Sequence, residues 1–327
     1  MDNLIKRVIA GENLLFDEMT DFFDAMVNEQ LTDARVGGAL VALRMKGENE
    51  VDLAAAATVL NRYKVKIDGN LKNKIDTCGT GGDGKSTINV STIVSIVLGS
   101  FGFNVVKHGN VAQSGKVGSA DILELLGIPV KLTKDEAEKY LQKHNFVFLF
   151  APNYHPILKS VGKIRRELRV PTIFNYLGPM LNPAEPDFQL IGINSVQKLD
   201  VYASALKQLG RNNILVVSSK DGFDEISSSD VTFARRLKDG VIESFEIDPA
   251  DFFNPFEMPK VSSNDDAVNL FLRAIQGEDE NLSNLIALNT AFAMSAANEN
   301  NVNENFEKVK VHLQKGAVKR YFESLKG

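Results

Sequence analysis

Over the first 67 positions the apolar residues recur at helical spacing. Asp2 to Ile9 ends at Gly11, and Phe16 to Asn28 carries Phe16, Met19, Phe23, Met26 and Val27 on one face. Thr32 to Lys46 stops at Gly47, and Glu50 to Tyr63 includes the run Ala54-Ala55-Ala56-Ala57. Capping residues stand at the starts and glycine follows two of the ends, so the pattern predicts a small all-helical domain over 1–67 whose apolar stripes are core. Part of the segment 155–180 is expected to join it. From about residue 73 the period changes. Short β-rich runs at Phe103–Lys107, Ile128–Leu132, Phe146–Phe150, Thr172–Asn175, Leu190–Ile193 and Ile214–Ser218 alternate with helical patterns at Ser119–Leu126, Lys134–His144 and Val196–Leu209. Such alternation predicts the α/β class, a large domain over 73–327 with a mostly parallel central sheet flanked by helices. Val231–Leu237 and Val241–Ile247 flank Lys238-Asp239-Gly240 as a hairpin. The chain reads as helical again from Ala267, with Asn298 to Asn305 as a polar loop and no internal repeat.

Composition narrows the function classes. The chain has 327 residues, 44% hydrophobic and 24% charged, enough for a large core in two domains. A net charge of -5 and a sequence pI of about 5.6 argue against a general nucleic-acid binder, which needs a basic stripe. The single cysteine, Cys78, excludes an internal disulfide and fits a reducing compartment. The first residues lack the apolar core of a signal peptide, and the longest apolar stretch, Ile93 to Val106, is interrupted by polar and small residues and is too short to span a bilayer. The expected localisation is cytoplasmic, with no membrane partner.

The most informative segment is Asp76-Thr77-Cys78-Gly79-Thr80-Gly81-Gly82-Asp83-Gly84-Lys85-Ser86-Thr87-Ile88-Asn89-Val90-Ser91-Thr92. Gly79, Gly81 and Gly82 free the backbone to aim successive N–H groups at one anion, and the hydroxyl and amide donors that follow crowd onto a helix start, a natural phosphate seat. Gly79 to Ser86 also matches the Walker A pattern letter for letter. Three observations oppose an ATPase or GTPase. The preceding Lys72-Asn73-Lys74-Ile75-Asp76 is mostly polar where an apolar strand should be, Asp83 puts a carboxylate inside the loop, and no apolar strand ending in a metal-binding Asp follows. Lys85 is therefore expected to be dispensable.

Three further constellations add chemistry. Lys107-His108-Gly109-Asn110-Val111-Ala112-Gln113-Ser114-Gly115-Lys116-Val117-Gly118-Ser119 is a second glycine-containing loop between a strand and a helix; Lys107 would supply a point charge, while Lys116 reads as a solvated surface charge. Arg165, after Tyr154-His155-Pro156, has the planar fork that clamps a carboxylate, although an Arg–Glu pair on a helix surface is as good a reading of the spacing. Asp224 and Glu225, on a loop after the strand Ile214–Ser218, are adjacent carboxylates suited to a Mg²⁺ ion shared with substrate phosphates; the bland alternative is an acidic turn. Together they read as a site for a magnesium-bound diphosphate beside an acid. Covalent catalysis and zinc chemistry have no supporting motif.

The segments Gly79-Thr80-Gly81-Gly82-Asp83, Lys107-His108-Gly109-Asn110, Phe148-Leu149-Phe150-Ala151-Pro152 with His155-Pro156, Arg165-Arg166-Glu167-Leu168, Thr172-Ile173-Phe174-Asn175 with Leu177-Gly178-Pro179 and Leu181-Asn182-Pro183, and Asp221-Gly222-Phe223-Asp224-Glu225 resemble the anthranilate phosphoribosyltransferases of tryptophan biosynthesis, colinearly over essentially the whole chain. The resemblance implies transfer of phosphoribosyl from 5-phosphoribosyl diphosphate to anthranilate, a homodimer, and a fold shared with pyrimidine nucleoside phosphorylases. It leaves a glutamine amidotransferase subunit open as a partner. By residue it implies phosphoribosyl diphosphate contacts at Gly79, Gly82, Asp83, Thr87, Asn89, Val90, Ser91, Thr92, Lys107, His108, Gly109, Asn110, Val111, Ala112, Gln113, Ser114, Gly115 and Ser119. Anthranilate contacts fall at Gly79, Asn110 and Arg165, and Mg²⁺ ligands at Ser91, Asp224 and Glu225, with no covalent catalytic residue. One departure stands out: Val111 replaces the arginine that usually follows Lys-His-Gly-Asn, and Gln113 and Gly115 also differ from the usual loop. The rival readings are a pyrimidine nucleoside phosphorylase, which needs no paired magnesium carboxylates, and a nucleic-acid-binding relative, which the acidic balance opposes.

Overall fold

The computed structural model describes all residues except 69, 70, 83, 113–116, 298–300 and 327. Four helices open the chain: α1 (Asp2–Ile9), α2 (Phe16–Val27), α3 (Asp33–Lys46) and α4 (Glu50–Arg62). The start of α4 shows why such boundaries are readable. Asn49 Oδ1 accepts the Asp52 N–H at 2.9 Å and Asp52 Oδ2 accepts the Asn49 N–H at 3.1 Å, a reciprocal cap. Phe22, Phe23, Met19, Leu40 and the alanines of α4 are buried together.

The chain then alternates: β1 (Lys74–Gly79), α5 (Val90–Ser100), β2 (Asn104–Gly109), α6 (Ser119–Leu125), α7 (Lys134–His144) and β3 (Phe146–Phe150). Three short helices follow, α8 (Ala151–Tyr154), α9 (Lys159–Leu168) and α10 (Phe174–Leu177). After them come β4 (Phe188–Gly192), α11 (Leu199–Gln208), β5 (Ile214–Ser219), β6 (Thr232–Lys238) and β7 (Val241–Ile247). The chain closes with α12 (Asn264–Gln276), α13 (Glu280–Ala297), α14 (Val302–Gln314) and α15 (Ala317–Leu325). Side chains of α9 and α10, among them Val161, Ile164, Phe174 and Leu177, pack into the same core as the first four helices.

The strands form one sheet of order β3-β2-β1-β4-β5-β6-β7. The first five run parallel, with Thr77 opposite Leu190 and Lys107 opposite Phe148, and β6 and β7 pair antiparallel. From β1 the chain steps outward through β2 and β3, then returns to the other side of β1 with β4. Connections thus diverge around β1, and a crevice opens at the carboxyl ends of the strands. α5 is rich in β-branched residues yet helical, because it is buried between the sheet and α13 and α15, and tertiary packing overrides propensity.

Four local expectations are corrected. Lys74–Gly79 is a central strand despite its polar residues. Asp76 and Thr77 are buried, and Asp76 Oδ2 accepts Asn182 Nδ2 at 2.9 Å and Gln189 Nε2 at 3.2 Å. A parallel strand covered on both faces is normally apolar; this one carries a satisfied polar network instead. Ile128–Leu132 is not a strand: Pro129 lacks a donor, and Ile128 and Val130 are simply buried in the core. Thr172–Asn175 leads into α10, because Asn175 Oδ1 accepts the Thr172 N–H at 3.0 Å and turns the chain. The segment Asn301–Asn305 is not loop: Asn301 caps α14 through the Asn303 N–H at 2.9 Å, and Asn305 is buried within the helix, while 298–300 lie outside the described residues.

Candidate active site

A cavity of about 320 Å³ lies over the carboxyl ends of β1 and β2, walled by three loops and by the segment from α8 to α10. The first loop leaves β1 at Gly79. Gly81 (φ +64°), Gly82 (φ +77°) and Gly84 (φ +71°) occupy the left-handed region that favours glycine. The Thr80 N–H donates to Gly192 O at 2.9 Å and the Gly81 N–H to Asp224 Oδ2 at 2.7 Å, so the loop is bonded to both β4 and the acidic loop. It ends at Asn89, immediately before α5. Asn89 Nδ2 donates to Val117 O at 3.1 Å, joining the first glycine loop to the second.

Lys107 supports the start of α5 from below. Its ammonium group is buried and donates to Thr77 O at 2.7 Å and Ser91 Oγ at 3.2 Å. Burial pushes its pKa down, while the fully buried Asp76 carboxylate favours its charged form. The sequence suggested an ammonium aimed at phosphate; the structure holds it against Ser91. Past Lys107, the His108 ring presents Nδ1 to Gly178 O at 3.1 Å and meets the His155 ring edge-to-face at 5.3 Å between centroids. Burial lowers His108 to about 3 and His155 to about 4, so both are neutral at pH 7. Asn110 Oδ1 accepts the Val111 N–H at 2.8 Å, and Ala112 and Gly118 donate their N–H groups to Asp121 Oδ2 at 2.9 and 2.8 Å. A Cβ at Gly118 would collide with the backbone at Val111 and Ala112, which explains glycine there.

Arg165 projects from α9 onto the cavity wall, with its guanidinium over the Phe174 ring at 5.1 Å. It is half-buried, burial lowers its pKa, and among the described residues no acid pairs with it. The alternative, an Arg–Glu pair on the helix surface, is not formed by Arg165; neighbouring Glu167 lies 3.9 Å from Lys163.

Asp224 and Glu225 reach the cavity from the loop after β5. Asp224 is seated against two glycines: a Cβ at Gly79 would strike its carboxylate, and one at Gly192 would strike its backbone carbonyl. Ser91, whose hydroxyl is also a hard oxygen, lines the same cavity as the two carboxylates. Among the described residues no cluster of three or more His, Cys, Asp or Glu is poised for a metal. Two carboxylates beside an anion seat fit Mg²⁺, which is commonly held by one or two carboxylates plus substrate phosphates and water.

The cavity wall therefore gathers Gly79, Gly82, Thr87, Asn89, Ser91, Thr92, Lys107, His108, Gly109, Asn110, Val111, Ala112, Ser119, Arg165, Asp224 and Glu225. Val90 is not on it: its side chain is in the core, and its N–H donates to Ile88 O at 2.8 Å. Asp83, Gln113, Ser114 and Gly115 lie outside the described residues. Lys85 is not on the wall either. Its ammonium donates to Asp221 O and sits 4.1 Å from the Phe223 ring centroid, so it ties the glycine loop to the acidic loop. Sequence reasoning assigned no role to His155, Phe174, Asn175 or Gly178, although all four stand on the wall and within motifs it singled out. Nor did it find Asp76, a buried carboxylate in the middle of a strand that accepts the His108 N–H at 3.3 Å and favours the charged form of Lys107.

Two family models cover the chain. The glycosyl transferase family helical bundle domain matches residues 2–63, and the glycosyl transferase family a/b domain matches residues 71–319. Among curated relatives, the anthranilate phosphoribosyltransferase of Methanococcus maripaludis is 38% identical over 325 residues, 99% of each chain. That of Alkaliphilus metalliredigens is 38% identical over 304 residues, 92% of this chain and 90% of its own. Among solved structures, the enzyme of that name from Thermus thermophilus superposes with a TM-score of 0.89 at 30% identity, covering 99% of both chains. The Saccharomyces cerevisiae enzyme in complex with phosphoribosyl diphosphate and Mg gives 0.88 at 24% identity, covering 99% of this chain and 96% of that one, a likeness of fold.

Proposed function

The chain belongs to the anthranilate phosphoribosyltransferase family, and on that premise we propose how its residues carry out the reaction. It transfers phosphoribosyl from 5-phosphoribosyl diphosphate to the amine of anthranilate, releasing diphosphate, in tryptophan biosynthesis. The observation that carries the assignment of roles is that two glycine-containing loops, a paired carboxylate and an arginine without an acid partner among the described residues all face one cavity.

The first glycine loop and the start of α5 receive the diphosphate through backbone N–H groups and the hydroxyls of Thr87, Ser91 and Thr92. The loop from His108 to Ala112, with Ser119, encloses the other side; Asp83, Gln113, Ser114 and Gly115 are assigned to the same substrate on the resemblance alone. Ser91, Asp224 and Glu225 would hold Mg²⁺, which when bound neutralises charge on the diphosphate. Arg165 clamps the carboxylate of anthranilate, stiffened by Phe174, and Asn110 and Gly79 border the same space. As the glycosidic bond lengthens, C1 of the ribosyl group takes on oxocarbenium character, as in glycosyl transfer generally. The aromatic amine is neutral at pH 7, so its lone pair needs no strong base. His108 and His155, neutral and buried, shape the pocket without adding positive charge beside the developing cation.

The helical unit over 1–67, with part of 155–180, is proposed as one body and 73–327 as the other. Ile9, Leu15, Phe16 and Met45 are exposed apolar residues of the first, and they support a homodimer formed through that unit. No described helix is long and apolar enough to cross a membrane, which is compatible with a cytoplasmic enzyme. The test of the function is loss of anthranilate fluorescence in the presence of 5-phosphoribosyl diphosphate and Mg²⁺. Folded protein without turnover, or phosphorolysis of thymidine or uridine in its place, would overturn it.

A further inference from the structure

α13 runs beneath the site, packed against α5, β4 and β5. One of its side chains, Asn289, is buried, and each of its hydrogen bonds has a definite target. Oδ1 accepts the Ile226 N–H at 3.0 Å, and Nδ2 donates to Ile226 O at 2.9 Å and Leu285 O at 3.0 Å. A side-chain amide that satisfies both the N–H and the C=O of one residue does what a neighbouring strand would do. Here it does so for buried, irregular backbone that no strand pairs. Ile226 directly follows Glu225. On the other side of the carboxylates, the Phe223 N–H donates to Ser219 Oγ at 2.8 Å, and that hydroxyl donates to Phe223 O at 3.0 Å. Asp224 and Glu225 are therefore suspended between two clamped residues. Asn289 also borders, with Thr77, Ser91, Asp224 and Glu225, a small pocket behind the carboxylates.

We infer that Asn289 is a positioning residue for the metal-binding carboxylates: by fixing the backbone of Ile226 it sets the direction in which Glu225 and Asp224 leave the chain. It does not reach the main cavity, and it acts only through its neighbours. The inference rests on the proposed assignment of Asp224 and Glu225 to Mg²⁺. Partners that orient metal ligands commonly change metal affinity about 10–100-fold when removed, without touching the ion.

The test replaces Asn289 with Leu, which has similar volume and neither polar group, in the full-length protein. Thr290→Val serves as the control: Thr290 is buried on the same helix, one residue on, and its hydroxyl has no bond to the acidic loop. Calorimetry measures 5-phosphoribosyl diphosphate binding across a Mg²⁺ titration, and steady-state kinetics gives both KM values. Asn289→Leu should raise the Mg²⁺ concentration at half-effect about tenfold. It should raise the KM for 5-phosphoribosyl diphosphate in parallel, recover kcat at high Mg²⁺, and leave the KM for anthranilate within about twofold; Thr290→Val should move none of these. Folded Asn289→Leu with the wild-type Mg²⁺ dependence would overturn the inference, as would equal shifts in both variants. If Asn289→Leu does not fold, Asn289→Ser, which keeps a hydroxyl able to serve one of the two bonds to Ile226, should show a smaller shift in the same direction, and its absence would be equally decisive. Asp224→Asn with Glu225→Gln separates the two readings. If that pair shifts the Mg²⁺ dependence and Asn289→Leu does not, only the role of Asn289 fails; if neither shifts, the metal assignment fails first.

Discussion

Truncating Arg165 isolates one half of the site. The guanidinium is half-buried, stacked 5.1 Å from the Phe174 centroid, and free of any acid among the described residues, so its charge is available to an incoming carboxylate. A charge-assisted hydrogen bond contributes roughly 1.5–3 kcal/mol, and at this depth solvent screens it less than on the surface. At about 1.4 kcal/mol per decade, Arg165→Ala should raise the KM for anthranilate between about tenfold and about 150-fold. The KM for 5-phosphoribosyl diphosphate should stay near its original value, because no part of the Arg165 contact reaches the glycine loop. Arg165→Lys should fall between, since it keeps the charge and loses the planar fork. Initial rates from anthranilate fluorescence, each substrate varied with the other saturating, give both constants. A thermal melt of each variant guards against loss of fold, since Arg165 sits on a helix whose Val161 and Ile164 are core. An unchanged KM for anthranilate would refute the reasoning, and equal rises in both constants would refute the division of the cavity into two subsites.

Asp224→Asn with Glu225→Gln should act on the other substrate, raising the Mg²⁺ requirement and the KM for 5-phosphoribosyl diphosphate with partial rescue by excess Mg²⁺; kinetics matching the parent would show the loop to be a solvated turn. Gly192→Ala places a Cβ against the Asp224 carbonyl, which is backbone and cannot rotate away. It should cost about 1–3 kcal/mol in urea unfolding and impair 5-phosphoribosyl diphosphate use, and normal values of both would be the contrary result. His108 and His155 have folded pKa values of about 3 and about 4, below the unfolded value of about 6.5, so the unfolded chain binds more protons between those limits. Their contribution is fully present above about pH 6.5 and is lost as pH falls toward 4 and then 3. His155→Gln should flatten that part of a Tm-against-pH curve, and an identical slope would show that other groups set it.

The helical segments were legible because their caps and apolar faces are local properties. Thr133 and Glu136, whose carboxylate accepts the Thr133 N–H at 2.9 Å, mark the start of α7, and Asn145, at φ +52°, marks its end. β1 was hidden by the same network that serves the site: Asp76 is tolerable in a central strand because the His108 N–H and, more than a hundred residues later, Asn182 and Gln189 bond to it. The Thr172–Asn175 segment misled for the opposite reason, its β-branched residues being overruled by a side-chain turn. In the site, glycine-rich loops and adjacent acids announce themselves by composition, whereas the spacing around Arg165 fits a carboxylate clamp and a surface pair equally well. Asn289 does not. One amide in a buried helix gives no sign of which loop it will meet, and only the fold brings it to Ile226.

The bond from the Gly81 N–H to Asp224 Oδ2 sets a carboxylate of the protein's own on the glycine loop. The glycine loop already has an anion in its grasp, tethered to the protein and never diluted. A diphosphate that needs this N–H must evict the carboxylate, so its apparent affinity is scaled by the fraction of molecules in which the contact is open. Whatever draws Asp224 away, a cation above all, raises that fraction. By reciprocity the diphosphate, in taking the N–H, leaves the carboxylate better able to receive the cation. On the proposed assignment of Asp224 to Mg²⁺, the two charges would be recruited as a pair.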